Sequence, residues 1–95
     1  MASIRNLKKD VNYLVEVVCS DCYAATIFNE NIDTDKVAAI ISDALVLRQD
    51  MINRINHPRV ERDDRKAVRK YYKGLQNEII EKVDQMFSDL SATIK

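Results

Sequence analysis

Two cysteines three positions apart, Cys19 and Cys22, are the residues of this chain whose type and spacing best suit chemistry. Two thiolates at that spacing supply half of a tetrahedral zinc site. The sequence has no other cysteine, and its single histidine, His57, belongs to another segment. A redox pair would need a strand before it, whereas helical periodicity surrounds these cysteines. We expect one cysteine in the core and one at its margin; a metal shared across a dimer and a redox-sensitive contact are the alternatives.

His57 directly precedes Pro58, so it marks the end of a helix. A phosphate-accepting histidine would lie exposed in the middle of a helix, and we expect His57 instead to cap the last carbonyl groups of its own helix. Bundles that bind two metal ions use Glu-x-x-His pairs, which this sequence lacks. It also lacks a glycine-rich phosphate loop and a base beside a serine or cysteine. It therefore predicts a non-enzymatic protein with no catalytic residue, metal site or cofactor.

A scarcity of turn-forming residues predicts long helices. The chain has 95 residues but one glycine and one proline, whereas β-rich and loop-rich folds need many of both. We predict helices over residues 3–29, 34–56 and 63–93, because apolar residues recur there at spacings of three and four. Ser3 and either Asp33 or Thr34 are suited to begin the first two helices. Short connections between long helices predict a single all-α domain, residues 1–95, folded as an antiparallel up-down-up three-helix bundle.

The apolar stripes of the three helices predict which residues form the core. We expect the core to contain Leu7, Val11, Leu14, Val18, Ile41, Leu45, Ile52, Tyr72, Leu75, Ile79, Val83 and Met86. A helix in such a bundle needs about three apolar positions in seven, and the first two helices exceed that number. The residues beyond their stripes are Val15, Val17, Ile40, Leu47 and Met51. This surplus is typical of self-association, for example as a six-helix dimer, or of a simply wide core stripe.

Charge is separated between the two ends of the predicted rod, although the formal net charge of the chain is zero. The basic pole, residues 1–10 and 48–73, contains twelve basic residues against five acidic residues, a net charge of +7. The acidic pole, residues 11–47 and 74–95, contains three basic residues against ten acidic residues, a net charge of −7. Helix dipoles favour acids at helix N-termini and bases at C-termini, so they account for the second helix but not for the first and third.

Nine basic residues form the candidate site for an anion or a partner protein. They are Arg5, Lys8, Lys9, Arg62, Arg65, Lys66, Arg69, Lys70 and Lys73. In one interpretation the opposite poles of two copies meet, in an antiparallel dimer or a head-to-tail array. In another, the basic pole binds nucleic acid or an acidic protein, and Tyr71 and Tyr72 stack on bases. In a third, the separation of charge is incidental. We expect a self-associating, homodimeric interaction module, with an accessory nucleic-acid-binding protein as the alternative.

The opening segment Ile4–Asp10, with sequence IRNLKKD, resembles the start of small helical proteins from Bacteroidetes-type bacteria. The resemblance covers mainly the first helix; it implies a bacterial cytoplasmic protein and carries over no functional residue. No unbroken apolar run approaches the roughly 20 residues that span a bilayer. Asp10 and Asn12 follow the first basic residues, where a secretory signal would have an apolar block. We expect a cytoplasmic location and no membrane partner.

Overall fold

Three antiparallel helices build the molecule. The computed structural model describes residues 4–94, and it contains α1 (Ile4–Phe28), α2 (Thr34–Asn56) and α3 (Arg65–Thr93). Each helix contacts the other two, and the bundle is a rod of 54 × 19 × 17 Å. Residues 4–94 contain no strand. The predicted all-α, up-down-up three-helix bundle is therefore confirmed, and each helix boundary lies within two residues of its predicted position.

Aspartate side chains begin α2 and α3. Asp33 accepts hydrogen bonds from two backbone N–H groups of the first turn of α2, at 3.1 and 3.3 Å. Asp64 accepts one from the backbone N–H of Ala67 at 3.0 Å. Such caps satisfy N–H groups that have no partner within the helix, and each stabilises a helix by about 1 kcal/mol. Ser3, the predicted cap of α1, lies outside the described residues.

The core face of α2 differs from the predicted one. The α2 residues that face the core are Val37, Ile40, Ala44, Leu47, Met51 and Ile55. Of the predicted core residues, Ile41 and Ile52 are half-buried and Leu45 is 44% exposed. The stripe predicted for α2 also includes Val37, Ala44 and Ile55, which are buried, whereas Ile41, Leu45 and Ile52 each directly follow a buried residue in the sequence. Ile40, Leu47 and Met51, predicted as surplus, are core residues.

Most of the predicted core residues of α1 and α3 are buried. Those confirmed are Leu7, Val11 and Val18 in α1, and Tyr72, Leu75, Ile79 and Val83 in α3. Leu14 and Met86 are half-buried and pack against the core from its margin. Val15, predicted as surplus, is only 1% exposed, whereas Val17 is half-buried. In α1, therefore, Leu14 was predicted for the core and Val15 for the surplus, whereas Val15 is buried and Leu14 lies at the margin.

Gly74 lies on the exposed side of α3. A glycine inside a helix either allows a close contact with another helix or is simply tolerated. A Cβ atom built at Gly74 meets nothing within 4 Å, and the backbone φ is not positive. The structure thus favours simple tolerance of Gly74, whose low helix propensity destabilises α3 by about 1 kcal/mol relative to alanine.

Candidate functional site

The basic pole is assembled from three separate stretches of the sequence. A cavity of about 430 Å³ lies there, lined by Ile4 of α1, Ile55 of α2 and Val68 of α3, among others. The start of α1, the end of α2 and the start of α3 therefore meet at one end of the rod. This arrangement follows from the antiparallel topology, and it gathers the nine candidate cations at that end.

The nine candidate cations lie on the surface of the basic pole. Eight of them are exposed and Lys8 is half-buried. Within residues 4–94, none of the nine forms a salt bridge. Arg65, Arg69 and Lys73 follow one line along α3, since their spacing is i, i+4, i+8. Lys8 lines the contact between α1 and α2. The pole thus presents uncompensated positive charge on more than one side.

Arg54 is the basic residue of this pole that does form ion pairs. Its guanidinium group forms two hydrogen bonds to the carboxylate of Glu78, one of them 3.2 Å long, and lies 3.4 Å from Asp50. Lys82 lies 3.4 Å from the same Glu78 carboxylate. The hydrogen bond from Arg54 holds the pKa of Glu78 below its usual value, and the same bond raises the pKa of Arg54. This pair joins α2 to α3 and so has a structural role.

Tyr71 and Tyr72 hold the end of α2. The Tyr71 hydroxyl donates to the carbonyl oxygen of Arg54 at 2.7 Å, and the Tyr72 hydroxyl donates to that of Ile55 at 3.1 Å. Both carbonyls belong to the last turn of α2, where carbonyl groups lack partners within the helix. The two rings contact each other edge-to-face, with centroids 5.4 Å apart. Tyr72 is 8% exposed, so the expectation that these rings stack on bases is wrong for Tyr72.

His57 caps α2 through its backbone. It occupies the C-cap position, where its N–H group donates to the carbonyl oxygen of Asn53 at 3.0 Å. The imidazole is on an exposed residue. His57 therefore caps the end of α2, as predicted, and it does so through its backbone amide group.

The two cysteines occupy the predicted core and margin positions. Cys22 is buried, Cys19 is half-buried, and both are free thiols. Burial raises the pKa of the Cys22 thiol, and the nearby Cys19 and Asp21 raise it further. A raised pKa disfavours the thiolate, which is the form that attacks disulfides and binds metals. Among the described residues, no group of three or more His, Cys, Asp or Glu is placed to hold a metal ion.

A groove runs along the outer contact between α1 and α2, and we call it the α1–α2 groove. Its lining includes Lys8, Asn12, Cys19 and Tyr23 on α1, and Ile41, Leu45, Arg48 and Ile52 on α2. It consists of two adjoining cavities of about 1020 and 510 Å³ that share Leu45 and Arg48. Tyr23 is 61% exposed, and Val46 at the rim is 63% exposed. α1 and α2 do carry surplus apolar surface, but Tyr23, Leu45 and Val46 supply it instead of the residues predicted for it.

The acidic pole has an apolar tip that the sequence analysis missed. Ile27 and Phe28, the last two residues of α1, are 74% and 81% exposed. Phe28 continues the apolar stripe of α1, although it is not among the residues predicted for the core. α1 ends at Phe28, and within residues 4–94 no helix buries the side chains of its last turn.

α1 is also, within residues 4–94, the helix that is long and apolar enough to cross a membrane by length and composition. The core helix of a bundle passes the same test. In this structure α1 buries six residues in the bundle: Leu7, Val11, Val15, Val18, Cys22 and Ala25. α1 has no unbroken apolar run of about 20 residues, because Glu16 and Asp21 interrupt its apolar stretch.

No protein-family model, no curated protein and no solved structure matches this chain.

Proposed function

We propose that this protein is a non-enzymatic, cytoplasmic interaction module that associates with itself, with the basic pole of one copy against the acidic pole of another. The observation that supports this best is the separation of charge along a 54 Å rod. Nine cations at one end have no salt bridge within residues 4–94. Gathered like charges repel within a monomer. A second copy in the opposite orientation would neutralise both poles at once.

Charge and apolar surface have different parts in this proposal. An exposed ion pair contributes about 0–1 kcal/mol, so charge pairs alone give weak association. Their main effects are on orientation, on the association rate and on the rejection of wrong partners. The exposed apolar residues of α1 and α2 supply the burial that a lasting complex needs, at roughly 25 cal/mol per Å². We therefore expect a dimer held by apolar contact and oriented by charge.

Sedimentation velocity at two salt concentrations tests self-association. At about 0.01 M salt the Debye length is about 30 Å, and at about 1 M it is about 3 Å. We expect dimers that dissociate more readily at the higher salt concentration, because screening removes the attraction between the poles. A protein that is monomeric at both concentrations would contradict the proposal. A dimer indifferent to salt would show that the charge separation is incidental.

A second candidate function is an accessory role in binding nucleic acid at the basic pole. It is favoured by the first turns of α3, where Arg65, Lys66, Arg69, Lys70 and Lys73 are all exposed. Such cations displace counterions from phosphates and make affinity fall steeply with salt. We expect the variant R65E/R69E/K73E to lose oligonucleotide binding while keeping its helicity. Fluorescence anisotropy with a labelled single-stranded oligonucleotide measures this; an acidic protein would compete for the same residues.

A further inference from the structure

We infer that the apolar tip of one copy, formed by Ile27 and Phe28, docks into the cavity at the basic pole of a second copy. The inference rests on the proposed self-association and adds to it the two surfaces that meet. Three observations carry it: the lining of the cavity, the exposed and hydrogen-bonded end of α1, and the opposite charges around the two surfaces. We call the cavity of about 430 Å³ the basic-pole cavity.

The basic-pole cavity has an apolar lining with a positive charge beside it. Five of its seven lining residues are apolar: Ile4, Ile55, Pro58, Val68 and Tyr72. Ile55 and Tyr72 are nearly buried, so they form its floor, whereas Arg62, one of its two polar residues, is exposed. Burial raises the pKa of the Tyr72 hydroxyl and Tyr71 raises it further, while the charge of Arg62 lowers it, so the guanidinium group lies near Tyr72. Such a cavity suits an apolar side chain carried by an acidic segment.

The apolar tip is exposed, yet its backbone is held by hydrogen bonds. Ile27 and Phe28 are 74% and 81% exposed. Directly after them, the backbone N–H and the side-chain amide of Asn29 both donate to the carbonyl oxygen of Ala25, at 3.0 and 2.9 Å. Because the backbone is already ordered, docking has to immobilise little more than the two apolar side chains. The tip is therefore prepared for binding.

The basic-pole cavity is large enough for the ring of Phe28. A cavity of roughly 150 Å³ in a protein core accommodates a benzene molecule. The basic-pole cavity, at about 430 Å³, exceeds that volume and leaves space beside the ring for part of Ile27. A buried aromatic side chain in a pocket is the usual anchor of a protein–protein contact, because it removes much apolar surface from water.

The charges around the two surfaces are opposite. Residues 56–73, which include four of the seven lining residues of the cavity, contain seven basic and three acidic residues. Residues 27–36 contain three acidic residues and one basic residue. Glu30 lines a small cavity together with Phe28, so it lies beside the tip. Docking brings these acids to the cations around the basic-pole cavity, whereas contact of tip with tip would bring like charges together.

α1 determines the distance between the two surfaces in each copy. It begins with Ile4 at the basic-pole cavity and ends with Phe28 at the tip, and its 25 residues place these two about 36 Å apart. The distance is the same in every copy. Two copies in opposite orientation can therefore form the contact twice, with the tip of each in the cavity of the other.

A variant of the tip separates apolar docking from the attraction between the poles. F28D removes the ring but adds an acid to the acidic pole, so charge attraction is kept while docking is lost. We expect it to weaken dimerisation about thirtyfold, as for a central contact residue. The matched control Y23D makes the same change at the same pole, on an aromatic residue of α1 that is 61% exposed and lines the α1–α2 groove. It should change the dissociation constant less than about threefold.

A variant of the cavity tests the other surface. Ile4 and Ile80 have nearly equal exposure, 48% and 47%, but Ile80 is on the surface of α3. I4E places an acid in the lining of the cavity, where it repels the acidic tip, and should weaken dimerisation about tenfold. I80E should have little effect. A glutamate in the first turn of α1 is favourable to the helix dipole, so I4E should fold.

Mixing the two variants tests whether tip and cavity are partners. F28D keeps an intact cavity, and I4E keeps an intact tip. We expect each alone to be largely monomeric at a concentration at which the wild type is dimeric, and a one-to-one mixture to form a complex through one restored contact. The double variant F28D/I4E has neither surface and should form no complex with either. Sedimentation velocity at low salt measures all of these, and circular dichroism verifies helicity.

The possible results separate the inference from the proposed function. A wild-type protein that stays monomeric would overturn both and leave the cavity to an occupant other than this chain. A salt-sensitive dimer that R65E/R69E/K73E dissociates, but that F28D and I4E leave intact, would uphold self-association and overturn the docking of the tip. Weakened dimers of F28D and I4E with no complex in their mixture would overturn the pairing of tip with cavity. A complex in the mixture, with Y23D and I80E dimeric like the wild type, would support the inference.

Discussion

The two ends of the rod satisfy their helix-terminal carbonyl groups in different ways. At the basic pole the last turn of α2 is bonded by another helix, since Tyr71 and Tyr72 of α3 donate to its carbonyls. At the acidic pole the last turns of α1 are bonded locally. Thr26 donates to the carbonyl of Tyr23, and the Asn29 side chain donates to that of Ala25.

The difference has a structural consequence. Hydrogen bonds between helices fix the position of the basic pole, where like charges repel one another. Local caps at the acidic pole satisfy the backbone but do not bring another element over the end of α1. Ile27 and Phe28 are therefore left exposed. The basic pole is fixed by directional bonds, and the acidic pole offers apolar surface.

The largest expected contrast is between two aromatic residues, one from each pole. Tyr72 is 8% exposed and Phe28 is 81% exposed. Y72A should lower the free energy of unfolding by about 3 kcal/mol or more, because it leaves a cavity in the core. F28A should change it by less than about 0.5 kcal/mol. Urea denaturation followed by circular dichroism measures both, and similar losses in the two variants would contradict the comparison.

Removing single side-chain hydrogen-bond donors sharpens the comparison between the two poles. Y72F deletes the hydrogen bond to the carbonyl of Ile55 while keeping the ring, and should cost about 1–2 kcal/mol because that bond is buried. N29A removes a local cap near water and should cost less. Thermal unfolding of the two variants gives the order. A larger loss in N29A would mean that the local caps matter more than the bonds between helices.

Serine variants of the two cysteines test how well the core is packed in the acidic pole, next to the exposed end of α1. Cys22 is buried and Cys19 is half-buried. C22S should lower the free energy of unfolding by about 1–2 kcal/mol, because it buries a hydroxyl in an apolar site. C19S should have a smaller effect, and the double variant should keep its oligomeric state. Stoichiometric zinc in protein purified without added metal would show that packing is not their whole role.

The smallest effect expected is the pH dependence contributed by Glu78. Its pKa is lowered in the folded state, chiefly by the hydrogen bond from Arg54. The resulting stability is therefore present above the unfolded pKa of about 4.3 and is lost as the pH falls through the lower folded value. Both side chains are about one-third exposed, so the contribution should be below about 1 kcal/mol.

The variant E78Q provides the measurement. Urea unfolding of wild type and E78Q at pH values of about 3 and about 6 gives the difference in stability between them. That difference should be larger at the higher pH. If it does not change with pH, the ion pair contributes nothing measurable, and the tyrosine hydrogen bonds alone fix the end of α2.

Much of the bundle could be predicted from local patterns. Helix boundaries follow from Asp33, Asp64 and Pro58, because caps and proline act within a few residues of chain. The two poles follow as well, since short connections between long helices leave few alternatives to antiparallel packing. The core face of α2 was predicted only in part, although the sequence contained a signal for the rest. The predicted stripe through Ile41, Leu45 and Ile52 passes Arg48, whereas the observed core face contains no charged residue.

The sequence by itself determined the number of helices, their ends and the separation of charge, because these depend on neighbours along the chain. Only the tertiary structure decided what each surface can do. Tyr71 and Tyr72 resemble a stacking platform in sequence, yet the end of α2 lies across from them and takes their hydroxyl groups. Leu45 resembles a core residue, yet Ala44 and Leu47 fill the interior and leave it in the groove. Burial depends on which helix lies opposite, and a periodic pattern in one helix carries no information about its partner.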